Sequence, residues 1–294
     1  MDRRTVHIRI NDWIQGRYLV KERCGVGLMA TCFKVEDKKS RNQVMVCKVT
    51  RLRDGATQEE FDQEVAALVK VRGSASFPQV SDSFVNLCHR VIVMSYEGEQ
   101  IEDVLGRNRN LRISNANCLR VSSQLTSALN FLHSTGFLHR DLSLNNILVK
   151  RTTDRVVVTL VDLGYASPTT ARLKCEMKPQ WISWHVSSGK CFAQRDDFVS
   201  AMYVVGHLSG FRLHDFVDTD LDEFKKEYHS RPCSFFKEEE KWIGRVLQLV
   251  DQMPDEGTKI NMNELLLVYA SAVDNISPHS PIAWKIKNNQ LKLL

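Results

Sequence analysis

The chain has 294 residues, of which 43% are hydrophobic and 26% charged, with a formal net charge of +5. That is the make-up of a soluble globular protein, long enough to bury a sizeable core in one large domain or two lobes. Basic and acidic residues are interspersed, so no basic stripe argues for nucleic acid, and no apolar run is long enough to span a bilayer.

The eight cysteines form no C-x-x-C pair, which argues against a zinc knuckle or a redox pair. The opening residues Met1-Asp2-Arg3-Arg4-Thr5-Val6-His7 lack the apolar run of a signal peptide. These features predict free, mostly buried thiols in an intracellular protein, cytoplasmic or nuclear. No membrane or nucleic-acid partner is expected, and a monomer is the default.

Strands are predicted first. Arg17–Cys24 is rich in β-formers and ends at Gly25-Val26-Gly27. Thr31–Glu36 alternates, and the charged turn from Asp37 to Asn42 separates it from Val44–Val49. A helix is expected over Thr57–Val71, started by a Thr57/Glu60 capping box, with Phe61, Val65, Leu68 and Val69 at helical spacing and Gly73 as its stop. β-type runs follow at Gln79–Val85 and Arg90–Met94. Beyond Gly98 the pattern turns helical. Ile101–Leu105 is short, Ser114–His133 is long and amphipathic, and Gly136 ends it. A β-run at Val156–Val161 precedes helices at Phe198–Leu208, Trp242–Val250 and Glu264–Val273, and Asp274–Leu294 reads as a polar tail, docked or loose. This order predicts an α+β chain of two unequal lobes.

Between the long helix and the next β-run lies His139-Arg140-Asp141-Leu142-Ser143-Leu144-Asn145-Asn146. So polar a cluster between apolar flanks is suited to chemistry rather than to a core. Asp141 can accept a proton from a hydroxyl, and Asn146 offers a neutral oxygen to a hard cation. The pattern His-Arg-Asp-x-x-x-x-Asn resembles the catalytic loop of protein kinases. Other stretches fall in the matching order. Gly25-x-Gly27-x-x-Ala30-x-Cys32 resembles a glycine-rich loop, with alanine for its third glycine and cysteine for the following valine. Lys48 interrupts an apolar strand and needs a carboxylate, and Glu64 on the following helix is the natural partner. Asp162, in Asp162-Leu163-Gly164 after a β-run, stands where kinases carry Asp-Phe-Gly. Each feature has a bland alternative, such as a hairpin turn or a solvent lysine; their shared order does not.

Within the kinases, the chain resembles the casein kinase I group and its tau-tubulin kinase branch. The carriers are His133-Ser134-Thr135-Gly136-Phe137-Leu138 before the loop, Gln63-Glu64-Val65-Ala66-Ala67-Leu68, the hinge-like Val93-Met94-Ser95-Tyr96-Glu97-Gly98, and Arg195-Asp196-Asp197-Phe198. Gln180-Trp181-Ile182-Ser183 stands in for the family's Arg-Tyr-Ala-Ser, and Glu176–Pro179 for the Gly-Thr before it. The resemblance implies a bilobal kinase domain over about residues 17–284, with lobes near 17–97 and 98–284 and a tail at 285–294. It implies γ-phosphoryl transfer from Mg-ATP to protein serine or threonine. Asp141 would act as base, Lys48, fixed by Glu64, would hold the α/β-phosphates, and Asn146 and Asp162 would hold Mg²⁺. Gly25, Val26, Gly27, Ala30, Cys32, Lys48 and Met94 would line the nucleotide site, and Asp197 would hold the catalytic-loop backbone.

One departure bears on rate. Ser143 replaces the lysine that faces the transferred phosphoryl group, and neither Leu144 nor Asn145 supplies a charge; Arg172, Lys174 and Lys178 are the cations within the following segment. Losing such a donor costs about 10²–10³ in rate. A slow kinase is expected, the alternative being a pseudokinase that serves as a nucleotide-binding scaffold.

Overall fold

A computed structural model describes residues 7–27, 30–41, 43–52, 57–86, 88–175, 180–211, 220–254 and 260–294. The opening residues 1–6, Asn42 of the charged turn, and Glu176–Pro179 with Lys178 lie outside the described residues. The chain divides into two units, Met1–Glu97 and Gly98–Leu294.

The first unit is built on an antiparallel six-stranded sheet in the order β1-β2-β3-β4-β6-β5. Its strands are β1 (Trp13–Ile14), β2 (Tyr18–Val26), β3 (Ala30–Asp37), β4 (Gln43–Arg51), β5 (Val80–Val85) and β6 (His89–Ser95). Period-2 alternation sends Val20, Phe33, Val35, Met45, Cys47, Val49, Val91 and Val93 into one core on one face. Helix α1 (Gln58–Lys70) begins at the expected capping box: Glu60 N–H donates to Thr57 Oγ1 at 3.1 Å and Thr57 N–H to Glu60 Oε2 at 2.6 Å. Its buried face differs from the expected apolar stripe. Glu64, Ala67 and Leu68 are buried, whereas Val69 is 45% exposed. The helix is rotated so that Glu64 faces inward, because an inward carboxylate is what a buried lysine requires.

The second unit opens with β7 (Glu99–Gln100), α2 (Ile101–Gly106) and α3 (Asn115–Ser134), followed by β8 (Phe137–Leu138). Strand β9 (Ile147–Arg151) lies between β7 and β10 (Val156–Leu160), and β8 pairs with β11 (Ser167–Pro168). The remaining helices are α4 (Trp184–Ser187), α5 (Gln194–Ser209), α6 (Leu221–Ser230), α7 (Lys241–Asp251) and α8 (Met262–Ala270). Leu119, Leu125, Leu129 and Leu132 of α3 are fully buried, and α3 ends as expected, with Gly136 at φ +93. Helix α5 starts earlier than the apolar pattern predicts, since its first polar residues, Arg195, Asp196 and Asp197, are buried in hydrogen bonds. Phe235 and Phe236 join Phe211, Phe224 and Tyr228 in an aromatic cluster, so core packing accounts for them.

The polar tail is docked. Strands β12 (Trp284–Lys287) and β13 (Gln290–Leu293) form a hairpin, within which the 284/285 boundary expected from sequence falls. Leu291 and Leu293 are buried. Arg107, Asn108 and Asn117 donate to the carbonyls of Leu291, Leu293 and Leu294 at 2.8, 3.1 and 2.6 Å.

All eight cysteines are free. The expectation that most are buried fails: only Cys47 and Cys118 are, whereas Cys24 and Cys88 are exposed. Register shifts in β2 beside Cys24 and the turn before β6 carry those two thiols out to solvent.

Candidate active site

In the first unit, Met45, Cys47 and Val49 of β4 turn into the core, so Lys48 between them faces the other side of the sheet. Its cross-strand neighbours there are Cys32 on β3 and Ile92 on β6. Lys48 Nζ donates to Glu64 Oε1 at 2.6 Å, and their side chains are only 10% and 9% exposed. A buried ion pair as short as this holds both charges in fixed positions. An ammonium is an N–H donor of the kind that fits phosphate oxygens. Two positions down β4, Val46 pairs with Met94 of β6, which is 8% exposed.

The glycine-bearing stretch is the tip of the β2–β3 hairpin. Gly25 stands opposite Cys32, Val26 opposite Thr31, and Gly27 N–H donates to Ala30 O at 2.9 Å. Val26 is 69% exposed. A glycine that the structure requires outright lies elsewhere. Gly98 has φ +97, and a Cβ there would stand 2.2 Å from Val149 O.

In the second unit the polar loop is fastened from below by Asp197 at the start of α5. Its Oδ2 accepts from His139 N–H at 2.8 Å and from the His133 ring at 2.7 Å, and its Oδ1 accepts from Arg140 N–H at 2.8 Å. These are the backbone hydrogen bonds expected of it. Burial pushes the Asp197 carboxyl up, but the His133 hydrogen bond and the charges of His133 and His139 outweigh it and hold the group below the usual range. The loop is fixed from inside as well, where Asp141 N–H donates to Nδ1 of the fully buried His139.

Asp141 is half-buried and meets Asn146, whose Nδ2 donates to both Asp141 O and Asp141 Oδ2 at 2.8 Å. Val161 N–H donates to Asn146 O at 3.0 Å, so the residue just before Asp162 is tied to Asn146. Asp141 and Asn146 are thereby held together, and the backbone beside Asp162 is held next to them. Arg140 and Asp162 hold φ of +68 and +64, left-handed values that are uncommon for residues other than glycine and asparagine. Leu163, fully buried, packs beneath. The neutral amide oxygen of Asn146 and the carboxylate of Asp162 form a hard-oxygen set that fits a divalent cation such as Mg²⁺.

Ser143 is extended, at φ −154 and ψ 170, and its carbonyl accepts from Asn146 N–H at 3.2 Å. Arg172 and Lys174 are exposed. Beyond them, Ser183 caps α4 by accepting from Val186 N–H, and its hydroxyl donates to Asp196. The Lys225 ammonium, fully buried, donates to Ile182 O at 2.7 Å. Sequence reasoning missed His133 and Lys225. The only signal either gives is a polar residue at a helical position otherwise suited to the core.

This geometry is that of a protein kinase, and the comparisons agree. Residues 18–185, more than half of the chain, match the protein kinase domain family; the chain belongs to that family. It is 28% identical over 159 residues to a probable serine/threonine-protein kinase of Clostridium acetobutylicum, covering 52% of this chain and 23% of the relative. The serine/threonine-protein kinase pkn3 of Myxococcus xanthus is 31% identical over 163 residues, 52% of this chain and 28% of the relative. The probable serine/threonine-protein kinase nek1 of Dictyostelium discoideum is 23% identical over 224 residues, 67% of this chain and 44% of the relative. The matched stretch thus spans less than half the length of these relatives. Among solved structures, vaccinia related kinase 3 matches with a TM-score of 0.75 at 18% identity, covering 94% of this chain and 95% of the other. At that identity the likeness speaks for the fold alone: the bilobal, α+β kinase fold. Protein kinase domains in general use ATP together with a divalent metal ion.

Proposed function

We propose that the chain is a serine/threonine protein kinase that transfers the γ-phosphoryl group of Mg-ATP to protein hydroxyls, slowly, because Ser143 leaves the catalytic loop without its lysine. The observation that carries this reading is the pairing of Asp141 with Asn146 on a loop fastened by Asp197, with the backbone just before Asp162 tied to Asn146. A scaffold has no use for a base and metal ligands held together in that way.

Asp141 orients the acceptor hydroxyl and takes its proton as the oxygen bonds to phosphorus. Lys48, fixed by Glu64, holds phosphate oxygens, and Asn146 and Asp162 supply oxygen ligands to Mg²⁺. When bound, Mg-ATP supplies the phosphoryl group and ADP as leaving group, while the cation neutralises developing charge. Gly25, Val26, Gly27, Ala30, Cys32 and Met94 line the nucleotide site on this reading. The reaction is mostly positioning and charge neutralisation, so one missing cation lowers a usual rate of about 1–100 per second without abolishing it.

The tau-tubulin kinase branch of the casein kinase I group remains our assignment on the strength of Arg195-Asp196-Asp197-Phe198 and the approach to the catalytic loop. We extend the proposal to an intracellular monomer acting on protein substrates.

A second reading, a nucleotide-binding pseudokinase scaffold, is favoured by one observation, the serine at 143. Transfer of label from γ-labelled ATP to protein serine or threonine separates the two, with Asp141→Asn as control. The kinase reading predicts slow transfer that the substitution removes. Mg-ATP-induced thermal stabilisation without transfer supports the scaffold, and transfer unchanged in Asp141→Asn overturns the assignment of the base.

A further inference from the structure

In the helical part of the second unit, apart from the catalytic loop, side chains from separate elements converge. His185 Nε2 on α4 lies 3.0 Å from Asp251 Oδ1 at the end of α7. His229 Nδ1, on α6, hydrogen-bonds to Asp251 Oδ2. The ligating atoms of His185, His229 and Asp251 all lie within 4.8 Å of one another, the one such convergence among the described residues. The three side chains are 15%, 8% and 18% exposed, so none is sealed completely from solvent. We propose that His185, His229 and Asp251 form a binding site for a divalent transition-metal ion of the zinc class, independent of the phosphoryl-transfer site.

The donor set favours that class. Two imidazole nitrogens and a carboxylate oxygen suit Zn²⁺, Co²⁺ or Ni²⁺, whereas Mg²⁺ and Ca²⁺ prefer all-oxygen shells. Spacing fits too. Tetrahedral bonds of about 2.0–2.2 Å put neighbouring ligand atoms roughly 3.3–3.6 Å apart, so the two rings, each now on a different oxygen of Asp251, would close from within 4.8 Å onto one ion. Water would complete the coordination shell.

The surroundings also supply the support that metal-bound histidines need. Tyr203, on α5, meets the other nitrogen of His229 through its hydroxyl, at 2.6 Å. In the metal-free state His229 donates from Nδ1 to Asp251 and accepts at Nε2 from Tyr203. With an ion on Nδ1 the proton sits on Nε2, and the Tyr203 oxygen accepts it. A hydroxyl serves both tautomers, and such a partner fixes ring orientation.

The consequence is mechanical. The ion would join α4, which follows the segment running from Asp162 to Ser183, to α6 and α7, and so steady the end of that segment.

The test is Co²⁺ titration of the full chain in excess Mg²⁺, which keeps the oxygen site of Asn146 and Asp162 occupied. The proposal predicts one Co²⁺ per chain with tetrahedral visible bands, no thiolate-to-cobalt charge-transfer band, and a raised melting temperature. His185→Gln and His229→Gln should each weaken binding by at least about tenfold, while Cys191→Ser should leave it unchanged. In the unaltered protein, Zn²⁺ should shift the imidazole proton signals of two histidines, a reading that needs no variant to fold. Absence of both the Co²⁺ bands and the Zn²⁺ shifts overturns the site and leaves a His–Asp–His hydrogen-bonded clasp. A thiolate band, or binding kept within about twofold in both histidine variants, overturns it equally.

Discussion

At Asp197 a single carboxylate accepts from the His133 ring and from the backbone N–H groups of His139 and Arg140. Its folded-state acidity is held below the ordinary carboxylate range, which fixes a sign. The ionised group contributes stability above the unfolded value of about 3.9, and that contribution fades as pH falls through the lower folded value. Asp197→Asn should therefore cost about 3 kcal/mol at neutral pH, the order of losing charge-assisted hydrogen bonds. The gap from the unaltered protein should close below about pH 4 in urea unfolding. A gap that stays constant with pH would contradict the account of Asp197. The Lys48–Glu64 pair allows a different separation. Lys48→Met alone strands a buried carboxylate and should cost about 3–5 kcal/mol, whereas Lys48→Met with Glu64→Leu should return stability to within about 1 kcal/mol of the original. Phosphoryl transfer should be lost in both, since the phosphate-holding cation is gone. Recovery of transfer along with stability would show that Lys48 has no part in the chemistry. Lys48 stands out in the sequence because it interrupts an apolar strand, and Glu64, Asp141, Asn146 and Asp162 because they follow in the order of kinase-like motifs. His185, His229 and Asp251 do not, because their meaning arises only when separate helices bring them together.

Elements divide in the same way. The Thr57/Glu60 capping box is a local signal, and it appears as expected; Thr57→Ala should cost about 1 kcal/mol, read in thermal unfolding. Apolar spacing alone does not define the buried face of α1, since Glu64 faces inward with Ala67 and Leu68 while Val69 is exposed. Helix α6 went unseen because its buried side chains are only Phe224, Lys225 and Tyr228, one of them a cation that satisfies a distant carbonyl. The carboxy-terminal hairpin is another non-local case. Its alternation is weak, and its place is set by Arg107, Asn108 and Asn117, far back in the chain. With Leu293 1% exposed, Leu293→Ala should lower stability by about 2–5 kcal/mol, the range for emptying a leucine site in a core. A change under about 0.5 kcal/mol, the scale of an exposed position, would mean the hairpin is not docked in solution.

For the molecule as a whole, the two units divide the work as a kinase requires. The sheet unit presents a buried, paired lysine, and on the proposed reading the helical unit presents the base Asp141 with Asn146 on a fastened loop and Asp162 after the adjoining strand. That division was readable in the strand-to-helix change beyond Gly98, at which a glycine is sterically required. The rate was not readable with equal force, for it depends on one absent side chain. The central claim is that this apparatus works and is slowed by Ser143, and single-turnover transfer from γ-labelled Mg-ATP tests it in one assay with the unaltered protein, Ser143→Lys and Asp141→Asn. The account predicts measurable transfer by the unaltered chain, a rise of about 10²–10³-fold in Ser143→Lys, and none in Asp141→Asn. No transfer by either the unaltered protein or Ser143→Lys, or a fall on adding the lysine, would contradict it.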